Sequence, residues 1–246
     1  SGDYFGENTA INGNGTIVAG FATMHDSNKG HVRVFQYTPT GNASWTQMGS
    51  DIDGESANDN GAIENGGNNI ALNLAGNILA FGSVNDDGTA TNAGHVRVFQ
   101  FISGNWVQMG DDIDGEAQSD NLGVSVALSD DGHTIVIGAN EHDDDGASQT
   151  GAIYVYTWNG SAWVQKGSSL HGSANHLFGN DVSVNSNGTI IAGSSRRASS
   201  NKGQVKIYQY NSSATDSWTL IGSILGEANN DYSGASISLN SSGNII

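Results

Sequence analysis

The sequence predicts an all-β protein: a β-propeller-like array of four-stranded antiparallel blades, four full repeats plus the start of a fifth. Three observations predict it. Short motifs recur in one register along the whole chain. Glycine supplies 35 of the 246 residues against a single proline, Pro39, and shows no three-residue period, which means many tight turns rather than collagen. No window sustains a 3.6-residue apolar period, so almost no helix is expected.

Each repeat unit reads as four strands. The first two form a short alternating run, a glycine turn and an apolar run, as in VSVALSDDGHTIVIGA (Val124–Ala139) and VSVNSNGTIIAG (Val182–Gly193). Val126 and Leu128 alternate with Ser125, Ala127 and Ser129, the period of a half-buried strand. The turn glycines are Gly15, Gly76, Gly132, Gly188 and Gly243, where positive φ is cheap. TIVIGA (Thr134–Ala139) is continuously apolar, as a strand covered on both faces must be. The third strand recurs as GHVRVFQY (Gly30–Tyr37), GHVRVFQF (Gly94–Phe101), GAIYVYTW (Gly151–Trp158) and GQVKIYQY (Gly203–Tyr210). The fourth begins at Trp45, Trp106, Trp163 and Trp218, spaced 61, 57 and 55 residues apart, and in the third unit ends near Gly172.

A blade of this size cannot bury both faces alone, and stacking blades around an axis closes the core. The units run approximately 1–57, 58–118, 119–174 and 175–228, with a partial unit at 229–246, in a single repeat domain over 1–246. The last segment, DYSGASISLNSSGNII (Asp231–Ile246), repeats the phase of DYFGENTAINGNGTIV (Asp3–Val18). Three readings fit it: a fragment of a larger propeller, a surplus strand that completes a neighbouring copy, or an open array of blades. The opening Ser1 reads as a processed chain or a piece of a longer one.

The net charge of −17 opposes binding to phosphate backbones and to anionic membranes. A solvated acidic surface is its plain meaning, with cation binding the sharper one. The chain has no cysteine, which excludes disulfides, thiol catalysis and cysteine-ligated metals. No apolar run is long enough to span a bilayer, so no membrane insertion is expected.

The segment GVSVALSDDGHTIVIGANEHDDDGASQTGAIYVY (Gly123–Tyr156) resembles the FG-GAP repeat of integrin-α-type β-propellers, and FGNDVSVNSNGTIIAGS (Phe178–Ser194) and the opening Phe5–Gly6 are similar. The resemblance runs loosely over the whole chain. It implies an extracellular or cell-surface propeller used for binding or adhesion. Many repeats of that family hold calcium in a D-x-D-x-D-G loop between their first two strands. Here that place holds tight turns, at Asn12–Gly15, Ser129–Gly132 and Asn185–Gly188, too short for six or more oxygen ligands. The family's calcium is therefore not carried over.

Candidate sites lie elsewhere. Glu141, Asp143 and Asp145 alternate before Gly146, as a calcium loop begins, but the next ligand position is Gln149, and a solvated acidic loop is the default reading. The sequence DIDGE, at Asp51–Glu55 and Asp112–Glu116, offers paired carboxylates. The third and fourth units replace it with SLHGS and ILGE, which marks a blade-ending turn rather than a catalytic pair. His31 and His95 are repeat equivalents of Ala152 and Gln204 and read as edge or loop-side residues, not metal ligands. The four recurrent tryptophans read first as packing between blades and second as a platform for sugars. Six N-x-S/T sequons, Asn14, Asn42, Asn159, Asn187, Asn211 and Asn240, fall in turns predicted to be exposed on two rims, where a secreted eukaryotic form would carry glycans. No nucleophile elbow, P-loop or dinucleotide fingerprint occurs.

These features predict a non-enzymatic, extracellular or cell-surface structural or adhesive protein without a cofactor, calcium being the one candidate. Its expected partners are copies of itself, other extracellular proteins or glycans, and not nucleic acid. The alternative is a carbohydrate- or protein-binding module of a larger secreted protein. A weaker rival is a propeller hydrolase whose catalytic residues lie outside this chain.

Overall fold

A computed structural model describes residues 2–41, 43–56, 69–144, 146–212 and 217–246. Four antiparallel sheets follow one another along the chain. Blade one holds β1 (Asn8–Ile11), β2 (Ile17–Ala22), β3 (His31–Thr38), β4 (Ser44–Gln47) and β5 (Ile52–Asp53). Blade two holds β6 (Ile70–Leu72), β7 (Ile78–Ser83), β8 (His95–Ile102), β9 (Asn105–Gln108) and β10 (Ile113–Asp114). Blade three holds β11 (Leu122–Leu128), β12 (Thr134–Ala139), β13 (Ala152–Trp158), β14 (Trp163–Gln165) and β15 (Leu170–His171). Blade four holds β16 (Phe178–Val184), β17 (Ile190–Ser195), β18 (Gln204–Asn211) and β19 (Ser217–Leu225). The fold is a β-propeller array. The two short helices, α1 (His25–Asn28) and α2 (Ala198–Asn201), are single turns whose middle residues have positive φ. No helix among the described residues is long and apolar enough to cross a membrane.

The predicted fourth strand is one run; in blades one to three the structure breaks it in two. Gly49, Gly110 and Gly167 sit at the break with positive φ and bulge the chain away from β3, β8 and β13. Blade four has one residue fewer between Trp218 and Gly226 than blade one has between Trp45 and Gly54. Its strand β19 therefore continues through Gly222, with a single register shift opposite Ile207 and Tyr208.

Three apolar cores form, one at each junction between blades. Phe21, Val34 and Ile52 of blade one meet Ile70, Leu79 and Phe81 of blade two. Val96, Val98 and Ile113 meet Leu122, Ile135 and Ile137. Val136, Ile153 and Val155 meet Phe178, Ile191 and Tyr208. Burying both faces of each inner strand is what makes the apolar runs continuous: every residue of β7 and β12 is buried.

Two backbone devices set the stacking. The first-hairpin turns are chained: Gly13 N–H donates to Leu74 O, Leu74 to Asp130 O, Asp130 to Ser186 O and Ser186 to Ser241 O, at 3.0–3.2 Å. The entry glycines Gly123, Gly179 and Gly234 lie against the preceding blade. A Cβ on Gly138 would collide with the carbonyl oxygen of Gly179, and one on Gly82 with that of Gly123. The partial fifth unit continues the series. Ile237 N–H donates to Asp181 Oδ2 at 2.8 Å, and Leu239 N–H to Ser183 Oγ at 2.9 Å. Strands β1, β6, β11 and β16 and residues 237–239 line a central channel of about 630 Å³.

Tryptophan caps the outer edge of each junction. The indole N–H groups of Trp106, Trp163 and Trp218 donate to the carbonyls of Met48, Met109 and Lys166 of the preceding blade, each at 2.8 Å. Packing between blades is thus their observed role. Trp45, on the outer side of blade one, is 48% exposed.

Candidate functional site

An antiparallel meander sends alternate turns to opposite ends of its strands. The turns between first and second strands, and between third and fourth, open on one face of the array. The remaining loops, from second to third strand and from each blade to the next, open on the other. All six sequons belong by sequence to turns of the first face, so the two expected rims are inner and outer zones of the same face. The carboxylates and histidines gather on the second. Among the described residues, Asp130 and Asp131 are the only carboxylates in turns of the sequon face.

In blade two the second face holds a compact cluster. His95 starts β8 and pairs with Ser83 of β7 on one side and Asp114 of β10 on the other. It is therefore a central-strand residue, 2% exposed, and not the edge or loop-side residue expected from sequence. Its Nδ1 lies 3.0 Å from Asp86 Oδ1, which also accepts Gly88 N–H at 2.8 Å. Its Nε2 is buried without a hydrogen-bond partner among the described residues. One donor atom from each of Asp86, His95 and Asp114 lies within 4.8 Å of the others, and the same holds for Glu55, His95 and Asp112. Burial, with the charges of Asp112 and Asp86, pushes the Asp114 carboxyl above its usual range. Arg97 balances part of the charge: Nη1 is 3.4 Å from Glu55 Oε1 across the blade junction, and the guanidinium lies over Phe81 and Phe99.

Blade one repeats the pattern with His25, His31 and Asp53. His31 also sits within its sheet, between Ala22 and Asp53, and is 2% exposed. Neither of its ring nitrogens has a hydrogen-bond partner among the described residues. Burial first, then the charges of His25 and Arg33, lowers its pKa. In blade three the strand position is Ala152, and a different arrangement appears. His142 Nδ1 lies 3.2 Å from Asp120 Oδ1, and His171 Nδ1 lies 3.5 Å from Asp144 Oδ2. The Asp120 carboxylate raises the His142 pKa against the opposing effect of burial. Blade four has Ala198, Gln204 and Leu225 at these positions, and no donor set of this kind.

The expected calcium loop lies on the same face. Asp143 is exposed and its Oδ1 accepts Gln149 N–H at 2.6 Å; Glu141 is half-buried. Asp145 lies outside the described residues. The DIDGE segments, read as turns, do end their blades, but Asp53, Glu55, Asp112 and Asp114 also enter the histidine clusters.

The sequons divide in two. Asn14, Asn159 and Asn187 are exposed, and each accepts a backbone N–H two residues on with its Oδ1. Asn240 instead takes the N–H groups of Asn244 and Ile245, as Asn12, Asn73 and Asn185 do in their turns, and its Nδ2 donates to Ser242 Oγ and Asn244 Oδ1. It staples its turn. Asn211 is exposed, and Asn42 lies outside the described residues.

Residues 113–156 match the family model of the FG-GAP repeat, a span reaching from β10 into β13. No curated protein matches the chain in sequence. Among solved structures, a periplasmic gluconolactonase of Pseudomonas aeruginosa aligns with a TM-score of 0.54 at 12% identity, over 91% of this chain and 58% of that one. The hydrazine synthase of Kuenenia stuttgartiensis aligns with a TM-score of 0.52 at 11% identity, over 89% of this chain and 48% of that one. The chain therefore spans about half the length of these structures, and at such identities the likeness is one of fold.

Proposed function

We propose that this chain is a non-enzymatic propeller that works outside the cytoplasm as an adhesive or structural surface protein, engaging its partner through the carboxylate-rich face. One observation carries the reading: the two faces are chemically segregated, sequons on one and nearly all loop carboxylates on the other. Glycans on the first face would leave the second free for contact, and its charge favours a basic protein surface. The FG-GAP match at 113–156 supports an extracellular setting.

Binding of the chain to an immobilised basic protein tests this. Affinity falls as salt rises. Asp112→Asn with Glu116→Gln weakens it, while Asp130→Asn with Asp131→Asn does not. Equal loss from both pairs, or turnover of a lactone or glycan panel, overturns the reading. A glycan-array hit independent of salt favours the carbohydrate-binding alternative. In material from a glycosylating host, glycopeptides are expected at Asn14, Asn159 and Asn187 and not at Asn240.

Self-association is a second reading, supported by a separate observation. Leu220, Ile221, Ile224 and Leu225 of β19 are about half exposed, and Ile221 stands where Met48, Met109 and Lys166 accept an indole N–H. Trp45 of a second copy fits that acceptor. Sedimentation that stays monomeric at every concentration removes this reading.

A further inference from the structure

We propose that Asp86, His95 and Asp114 of blade two form a binding site for a divalent first-row cation of the zinc type. The inference is independent of which partner the face engages.

The three donors come from a loop and two strands. Asp86 follows β7, His95 opens β8 and Asp114 closes β10. Strand pairing fixes the second and third opposite each other. The Gly88 N–H donates to the same Asp86 Oδ1 that faces His95, and Thr89 Oγ1 pins the same loop to Gly115 O at 2.6 Å. Such bonds orient metal ligands before an ion arrives. The donor atoms already lie within 4.8 Å of one another, and His95 Nδ1 and Asp86 Oδ1 are 3.0 Å apart. An ion with bonds of about 2.1 Å spaces its ligands about 3.4 Å apart, so small side-chain rotations complete the site.

Two observations point to a ligand rather than to a solvated acidic loop. His95 is 2% exposed, yet its Nε2 has no hydrogen-bond partner among the described residues. With Nε2 unpaired, the ring is held on its Nδ1 side alone, where it faces Asp86, and an ion held there with Asp86 and Asp114 would fix its orientation. The same three positions recur in blade one as His25, His31 and Asp53, where both nitrogens of the buried His31 are unpaired. The buried histidine and the aspartate opposite it recur in one register, His31 with Asp53 and His95 with Asp114. The neighbouring Glu55 and Asp112, which form a second trio with His95, add negative charge that a dication offsets.

The donor set selects the ion. One imidazole nitrogen with two carboxylates suits zinc or manganese, whereas calcium takes six to eight oxygens. Asp114 is exposed, so the cation keeps a side open to water or to a partner's ligand.

Titration calorimetry of the full chain with zinc chloride, after chelator treatment, tests the site. A saturable zinc equivalent is expected, with calcium binding at least about tenfold weaker. Asp86→Asn and Asp114→Asn each weaken that equivalent by about tenfold or more, the loss typical of disturbed metal ligation. Asp130→Asn with Asp131→Asn leaves it unchanged. Asp53→Asn also leaves it unchanged, which separates blade two from the blade-one trio. Circular dichroism establishes that each variant is folded, and Asp114→Asn, on an exposed side chain, keeps the test open where Asp86→Asn does not fold. Absence of saturable zinc binding, equal affinity for calcium, or wild-type zinc affinity in folded Asp114→Asn overturns the proposal.

Discussion

Blades two and four share one meander but differ in nearly everything the meander carries. Blade two bulges its fourth strand at Gly110 and gathers Asp86, His95 and Asp114 at its rim. Blade four omits one residue, continues β19 as one strand through Gly222, and places Ala198, Gln204 and Leu225 at the same rim positions. Yet both make the same junctions: an indole N–H to the preceding blade, a chained first turn and a glycine pressed on its neighbour's backbone. Stacking is thus fixed by the apolar cores, by backbone contacts and by one tryptophan outside. The rim's side chains are free to vary because the rim joins the blades largely through its backbone, as where Leu122 N–H donates to Ala93 O and Phe178 N–H to Thr150 O.

The sharpest way to break this comparison is to add one methyl group at each kind of glycine. Neither Gly138 nor Gly222 has positive φ, so space alone decides the outcome. In Gly138→Ala the new Cβ meets the Gly179 carbonyl of the next blade, where neither backbone can yield without opening the junction. A loss of about 3 kcal/mol is expected in urea unfolding. In Gly222→Ala the nearest atom is Ile207 Cδ1 at 3.3 Å, the end of a movable side chain. The change there is expected within about 0.5 kcal/mol. Equal losses at the two sites would mean that the close glycine approach does not hold the blades together.

The same distinction explains what could be read in the sequence. Stacking depends on residues that must recur in every unit, so the turn glycines and tryptophans announced the strands, the register and the blade. The broken fourth strand escaped because Gly49, Gly110 and Gly167 form a bulge, which looks like continuous strand until its partner is known. The two rims expected for the sequons are one face, because an antiparallel meander puts its first and third turns at the same end. Asn240 matched Asn14 and Asn187 as a motif, but it holds the turn position of Asn12, two residues earlier in the hairpin. The histidine clusters were missed for a different reason. Asp86, His95 and Asp114 are far apart in sequence, and only the pairing of β8 with β10 brings them together. One signal was available: units one and two both open the third strand with histidine and close the fourth with aspartate, while unit four does neither.

A smaller effect is expected at the outer edge. Trp163→Phe keeps a ring against Trp158 but removes the N–H that satisfies Met109 O. The lost hydrogen bond and the carbonyl it leaves unpaired are together worth about 1.5 kcal/mol. Trp45→Phe is the control, since that indole is half exposed on the outer side of blade one, and it is expected to change stability by less than about 0.5 kcal/mol. Chemical denaturation of both variants compares a tryptophan that joins two blades with one that joins none.

The smallest effect separates blades one and three by pH. In blade three the Asp120 carboxylate outweighs burial and raises the His142 pKa above the ordinary histidine value of about 6.5. The folded chain then binds this proton more tightly than the unfolded chain does. That contribution is fully present below about pH 6.5 and is lost as pH rises through the higher folded value. In blade one burial, His25 and Arg33 lower the His31 pKa, so protonation there opposes folding as pH falls through 6.5 toward and past the folded value. Proton NMR titration is expected to place the His142 midpoint above that of His31. Asp120→Asn should lower the His142 midpoint, because its largest raising cause has gone while the burial that opposes it remains. Asp120 also accepts Ala117 N–H, so the variant's stability alone would not isolate the ion pair, whereas the position of the midpoint does. A His142 midpoint unmoved by Asp120→Asn would show that the carboxylate 3.2 Å away does not set the charge of this ring.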